Sequence, residues 1–411
     1  MCQNSRIYDV RDFGAVGDGK TLCTTAIQAA IDAAENGGTV LIAGGDYVSG
    51  TLGMKSGVTL RVEAGAKLTG SRDIKDYWDC GFYHNEMKKT VSLIYGLNCD
   101  HITLEGNGEI DMNGDAFMDF ESVGACGADS STLTDDEIEQ MVVNIKERPT
   151  QPIFFDSCTN LNVRDLTLRN APCWTVTFSR CENIKMLGVT VLNLKRVPNN
   201  DGVHFSASRH IVVGDCIFLC GDDCFAATCI TDTEGVCEDI VISNCICSSR
   251  SAAIRFGHLY SKVRRVAVNN VVIKDSNRGF CIFSGDNGYV EDVVISNAVV
   301  ETKIFAGGWW GKGEAMVICA ADSTGRIENV TVNGLTATTE NPIVVCGTDG
   351  NVKGVTIQNA RVRVREGKTN EFFRHKIDLQ PNRPCAPAPF KFGDVIYAEG
   401  VDDLITDLKN V

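Results

Sequence analysis

The chain has 411 residues, 44% of them hydrophobic and 22% charged, the balance of a globular protein. Its formal net charge of −14 disfavours nucleic acid and anionic membrane as partners, and no apolar run reaches the roughly 18–20 residues of a membrane span. A neutral polymer or a small substrate in a local pocket suits that field, whereas an anionic polymer requires a local basic patch to offset it.

The N-terminus, Met1-Cys2-Gln3-Asn4, lacks the basic and apolar regions of a signal peptide, so the expectation is a cytoplasmic protein. A chain trimmed at a lipoprotein cleavage site would also begin near such a cysteine, and would be periplasmic or secreted. The 19 cysteines are an odd number spread along the whole chain, which reads as reduced thiols filling small core positions. Cys220-x3-Cys224 and Cys245-x-Cys247 do not form the paired sets of a structural zinc site. No metal and no cofactor is expected. Forty glycines against nine prolines indicate many tight corners.

In chain order, Thr24–Ala33 places apolar residues at helical intervals and predicts a helix that caps one end of the fold. Val58–Val62 and His101–Glu105 are degenerate first copies of a repeat. Between Asn113 and Pro149 the repeat is interrupted, and Thr132-Leu-Thr-Asp-Asp-Glu-Ile-Glu carries a helix-start pattern, predicting a helical insertion over about 113–150. Clear copies of N/D-V/I-x-V/I-x-N-x-x-V/I then begin at Asn160, Asn183, His210, Asp239, Arg265, Asp292, Asn329 and Gly354, between 23 and 37 residues apart. Each alternates apolar and polar residues, which is strand periodicity, and is rich in Val and Ile. Leucine-rich repeats need a Leu/Asn ladder that is absent, and propeller blades need about 40–50 residues per unit. A coil of roughly 25 residues holding three short strands is a parallel β-helix, with coils stacked at about 4.8 Å. The expectation is an all-β fold: one β-helix domain over 1–411, with an N-terminal cap over about 1–50.

Stacking supplies a rule for finding a site, because residues one coil apart on the same strand lie above one another. Asn199-Asn200-Asp201-Gly202 and Gly221-Asp222-Asp223 are about one coil apart, so three carboxylates meet. Like charges so close raise at least one pKa, which keeps a carboxylic acid protonated near neutrality. Glycoside hydrolysis uses such a pair: one acid protonates the leaving oxygen while a carboxylate activates water. Asp at coil corners also serves turns, and adjacent acids also bind Ca²⁺. Three stacked by the repeat favour chemistry.

These residues resemble glycoside hydrolase family 28, the polygalacturonase family, over about residues 7 to 320. The likeness opens with Asp12-Phe-Gly-Ala-Val-Gly-Asp-Gly-Lys-Thr21, an opening shared with other β-helix enzymes. It continues with Asn170-Ala-Pro-Cys-Trp174 for N-S-P-x-W, Asn199–Gly202 for N-T-D-G and Gly221–Asp223 for G/Q-D-D. The resemblance implies a single-stranded right-handed parallel β-helix and an inverting glycosidase. It makes Asp222 the general acid and gives Asp201 and Asp223 the attacking water. Two motifs depart from the pattern. The histidine of G-H-G is Ser251, and the R-I-K that grips a galacturonate carboxylate is Cys281-Ile282-Phe283, although Arg278-Gly279 keeps the preceding R-G. Losing charge-assisted bonds to a carboxylate costs roughly 1.5–3 kcal/mol each.

Replacements are available nearby. His204, His258 and Arg255 lie on the coils that carry the acids, and Arg255 alternates with inward Ile254 and Phe256, so it points outward. Gly307-Gly-Trp-Trp-Gly-Lys-Gly-Glu314 breaks the strand pattern with an aromatic loop similar to a W-G-x-G/A-E segment of the family. Adjacent tryptophans cannot both face a strand's core, so Trp309 or Trp310 is placed toward the cleft, with Glu314 on sugar hydroxyls. The expected substrate-binding set is Asn199, His204, Arg255, His258, Arg278, Trp309, Trp310 and Glu314. The leading expectation is an inverting, exo-acting glycosidase on a pectin-like or related carbohydrate. The alternatives are a lyase or epimerase on the same scaffold, using Arg255 or His258 as base, and a sugar-binding β-helix without turnover.

Overall fold

A computed structural model describes residues 6–81, 88–124, 130–230, 232, 234–307, 310–380 and 384–411. The chain winds as a right-handed parallel β-helix. One face is an 11-stranded parallel sheet running from Leu52–Gly53 through Val203–Ser206 and Phe225–Thr228 to Ile396–Glu399. The other two faces form a 21-stranded sheet, because from Lys262–Ser276 onward the second and third strands of each coil merge into single bent strands. The coils continue past the reach of the sequence likeness, through Arg326–Thr339 and Val352–Val364 to Val401–Asn410.

The repeat has a backbone cause. Asn160, Asn183, His210, Asp239, Arg265, Asp292 and Asn329 all lie at φ between 55° and 59°, and Gly354 at 65°. Left-handed backbone turns the strand through a corner, and Asn and Asp tolerate it because their short side chains hydrogen-bond locally. Here those side chains bond along the stack: Asn183 donates to Asn160 at 3.2 Å and Asn329 to Asp292 at 3.1 Å. A second corner follows five residues on, at Asp165, Asp215, Asn244, Asn270, Asn297 and Asn359, where Asn244 donates to Asp215 at 3.0 Å.

Inside the coils Val, Ile and Phe form one continuous core, and Phe155, Phe178, Phe205 and Phe225 stack at centroid spacings of 5.6, 5.2 and 5.1 Å. Most described cysteines are buried in that core, and every described cysteine is a free thiol. Helix α1 (Thr24–Ala33) lays Ile27, Ala30 and Ile31 over the first coils, as expected of a cap that shields open strand edges. The insertion contains a helix, α2 (Asp135–Gln140), whose Thr134 and Glu137 form a capping box. It also contains an antiparallel ribbon, Met118–Val123 with Val143–Ile145, which the periodicity does not predict. Among the described residues no helix is long and apolar enough to cross a membrane.

Replacing Asn329 by Val, a β-branched residue at positive φ, is expected to cost about 1–3 kcal/mol in urea denaturation. Asn329→Gly should cost less, since glycine keeps the corner and loses only the ladder bond. Equal losses would show that the backbone is not the origin of the preference.

Candidate active site

The acids are held by register and by close backbone approach. Val203 pairs with Phe225 in parallel, so two residues earlier Asp201 lies over Asp223, with Asp222 at the adjoining turn. The Gly202 amide donates to Asp223 O at 2.8 Å. Asn200 ties the two turns together, accepting from the Gly221 amide at 2.5 Å and donating to Leu194 O at 2.8 Å. A Cβ on Gly202 would lie 2.4 Å from Cys224 O, and one on Gly221 would lie 2.5 Å from Val197 O. Both glycines are therefore required by space. The next coil supports the turn from the other side: Ser249 donates to Asp222 O at 2.7 Å and the Ala252 amide to Asp223 Oδ1 at 3.1 Å.

Asp201, Asp222 and Asp223 are all buried, and their environments separate them. Arg255 Nε donates to Asp223 Oδ2, so this carboxylate has a dedicated cation. Burial, with the Asp223 charge adding to it, pushes Asp222 up to about 8, against the opposing pull of Arg255 and the Ser251 hydroxyl. Asp201 is raised well above the usual carboxylate range by burial first and then by Asp222 and Asp223. The cluster thus holds a protonated acid next to an arginine-paired carboxylate, the division of labour that acid–base catalysis needs.

Around the acids, Asn199 is half-buried, accepts from Arg148 at 3.2 Å and lies 3.5 Å from Asp222 Oδ2. The outer face of the 11-stranded sheet carries a row in register: Thr177, His204, Ala226, Arg255, Cys281, Val317 and Val344. Arg255 points outward while Ile254 and Phe256 enter the core. His204 is fully buried under Trp174, with ring centroids 4.2 Å apart. Its Nδ1 is 3.5 Å from Asp201 and its Nε2 2.8 Å from Thr228 Oγ1, so it backs Asp201 instead of meeting sugar.

Arg278 and Glu314 also depart from the expected sugar contact. Both are fully buried and bond each other twice at 3.2 Å, while Arg278 donates to Asp378 O at 2.6 Å. Their charges are spent on holding the aromatic loop to the sheet. Trp310, half-buried, lies over Arg278 and Arg255 at 5.2 and 5.9 Å and edge-on to Phe283 at 5.5 Å and His258 at 6.3 Å. Trp309 lies outside the described residues. Phe283 and Cys281 pack with Val317 and Val344 under Ile377.

Two segments flank the acid-bearing face; the break in the repeat signals the first, and nothing in the periodicity signals the second. The insertion runs beside the acid-bearing turns: Arg148 donates to Pro172 O and Pro198 O at 2.6 and 2.7 Å, and Arg196 to Met141 O at 3.0 Å. Farther along, Leu133 packs on Ile304, Ala306 and Phe373, and the Asn370 amide donates to Glu137 at 2.6 Å. The C-terminal segment brings Ile377, Leu379, Phe390 and Tyr397 over Val317, Val344 and Trp310. The C-terminal segment therefore covers the outer face of the 11-stranded sheet beyond Arg255.

A parallel β-helix whose stacked coils bring three buried carboxylates and an arginine together defines a class, the β-helix proteins built for carbohydrate chemistry. Within it, the chain belongs to glycosyl hydrolases family 28, whose model matches residues 35–374. It is 28% identical over 326 residues to a probable polygalacturonase of Vitis vinifera, covering 74% of this chain and 62% of the relative. It is 28% identical over 248 residues to an exo-poly-alpha-D-galacturonosidase of Dickeya chrysanthemi, covering 53% and 41%. The chain thus spans less than two thirds of the length of these relatives. A solved Yersinia enterocolitica family 28 exopolygalacturonase superposes with a TM-score of 0.67 at 21% identity, covering 99% of this chain and 79% of the other. A hyperthermoactive Thermotoga maritima exopolygalacturonase gives 0.67 at 20%, covering 87% of each.

The folded Asp222 carboxyl keeps its proton to about pH 8, whereas the ordinary value is 3.8. Its contribution to stability is thus present in acid and lost as pH rises through 8. Asp222→Asn should flatten the fall in Tm between pH 4 and pH 9, read in a thermal-shift series. A decline parallel to that of the unsubstituted protein would contradict the assignment.

Proposed function

We propose that the chain is an inverting glycoside hydrolase acting on pectin-type carbohydrate, and the observation that carries this is buried Asp222, its carboxyl pushed up to about 8, beside the Arg255-paired Asp223. Asp222 donates its proton to the glycosidic oxygen as the bond from that oxygen to the anomeric carbon breaks. A water held between Asp201 and Asp223 forms the new bond to that carbon from the opposite face, and its proton passes to the Asp223 carboxylate. A positioned acid and base each contribute roughly 10²–10⁴-fold. Arg255, one of the two bases a lyase could use, is engaged with Asp223, which supports hydrolysis.

Asp222→Asn is expected to lower kcat by about 10³-fold or more with the fold unchanged by circular dichroism. Turnover of the unsubstituted enzyme should fall as pH rises through about 8, where the acid loses its proton. Unchanged turnover in the variant would sink the assignment, and proton NMR of the first product should show the inverted anomer.

The insertion and the C-terminal segment flanking the acid-bearing face support removal of units from a chain end, as does the likeness to a relative named for exo action. Product chromatography on an oligosaccharide should show short products from the first time point. An early ladder of intermediate lengths would exclude exo action.

A further inference from the structure

Beside the acids lies a concentration of positive charge that the hydrolytic steps do not use. Arg250 is 1% exposed, as buried as the acids themselves. Its Nη2 donates to Ala306 O at 3.1 Å and to Gly307 O at 3.3 Å, while Nε and Nη1 have no partner among the described residues. Its guanidinium lies 5.7 Å from the Phe305 ring, and Lys195 and Lys303 approach the same ring at 5.3 and 4.7 Å. Those two lysines share one carboxylate, Asp275, at 2.5 and 2.6 Å. Arg196 is near enough for its charge to oppose that of Arg250, and Asp222 near enough to favour it.

The balance is uneven. Four cations face Asp275, Asp222 and, on the Lys303 side, Glu340, and of these acids Asp222 is the one pushed up to about 8. In a chain of net charge −14 this is a local reversal of sign, the basic patch that an anionic substrate needs. A buried guanidinium with idle donors is unfavourable unless an anion completes it. Its planar fork matches a carboxylate better than a hydroxyl or an amide.

We propose that Arg250 reads the carboxylate of an acidic sugar in the unit bound beside Asp222, with Lys195 and Lys303 setting the field around it. The proposal rests on the glycosidase reading. It transfers charge recognition from Cys281 and Phe283, which carry no charge, to the turn between Ser249 and Ala252.

The test compares trigalacturonate with its methyl ester, which keeps the sugar rings and linkages, removes the charge and adds a methyl group at each carboxyl. The unsubstituted enzyme should prefer the acid, and Arg250→Gln should reduce the ratio of kcat/KM for acid over ester by at least about tenfold. The loss should appear in KM, and Arg250→Lys should recover part of it. A ratio that Arg250→Gln leaves unchanged, or an equal loss on both substrates, would overturn the proposal while leaving the glycosidase reading intact. If neither compound is cleaved, that reading fails separately, and titration calorimetry decides the present one. Binding of trigalacturonate over its ester that Arg250→Gln abolishes supports it; equal binding, or none, overturns it.

Discussion

The structure depends on one backbone constraint: each coil must turn corners in left-handed conformation, and each turn must land on the one before. From Asn160 to Asn329 the first corner is held at φ between 55° and 59° in seven successive coils, and side chains such as Asn183 to Asn160 bond up the stack. A strand that slipped by one residue would place a β-branched residue at positive φ and turn its apolar row to solvent. Register is therefore fixed twice, by the corner and by the core. Everything at the cleft follows, since a fixed register is what sets Asp201 over Asp223.

The site works against that order. Burial first, and then repulsion among three carboxylates that one arginine answers, push two of the acids toward their neutral forms. The surroundings make this tolerable without relieving it. Asn200 clamps the turns, Gly202 and Gly221 allow backbone contact that a side chain would block, and Ser249 and the Ala252 amide hold the turn from the next coil. Protonation is thus a property of where the turns are pinned, not of any single neighbour.

How much was legible follows from which interactions are periodic. The repeat starts read from the sequence, Asn160 through Gly354, are the residues found at positive φ, because one requirement recurs at each coil and leaves the same residue type behind. The acids were legible for the same reason, although stacking pairs Asp201 with Asp223 more directly than with Asp222. What recurs only once left no pattern. The buried Arg278–Glu314 pair looked like a sugar-binding pair by family likeness, yet Asp378 comes from a distant segment and completes an internal network. Arg148 stands in no motif and Arg250 in one altered from the family's pattern, and only the loops they meet, at Pro172, Pro198 and Ala306, make them buried cations. The antiparallel ribbon of the insertion was missed because it shares no period with the coils.

The bond between Glu137 and the Asn370 amide joins residues 233 apart in sequence, in a fold whose strands pair only with those of neighbouring coils. A solenoid without such a tie can fray from either end, each coil opening at little cost to the rest. Here the insertion fastens an early coil to a late turn, so the last coils cannot peel away without breaking contacts made before the acids. Unfolding becomes more nearly all-or-none, and the closing contact, spanning more than half the chain, is one that folding must reach late.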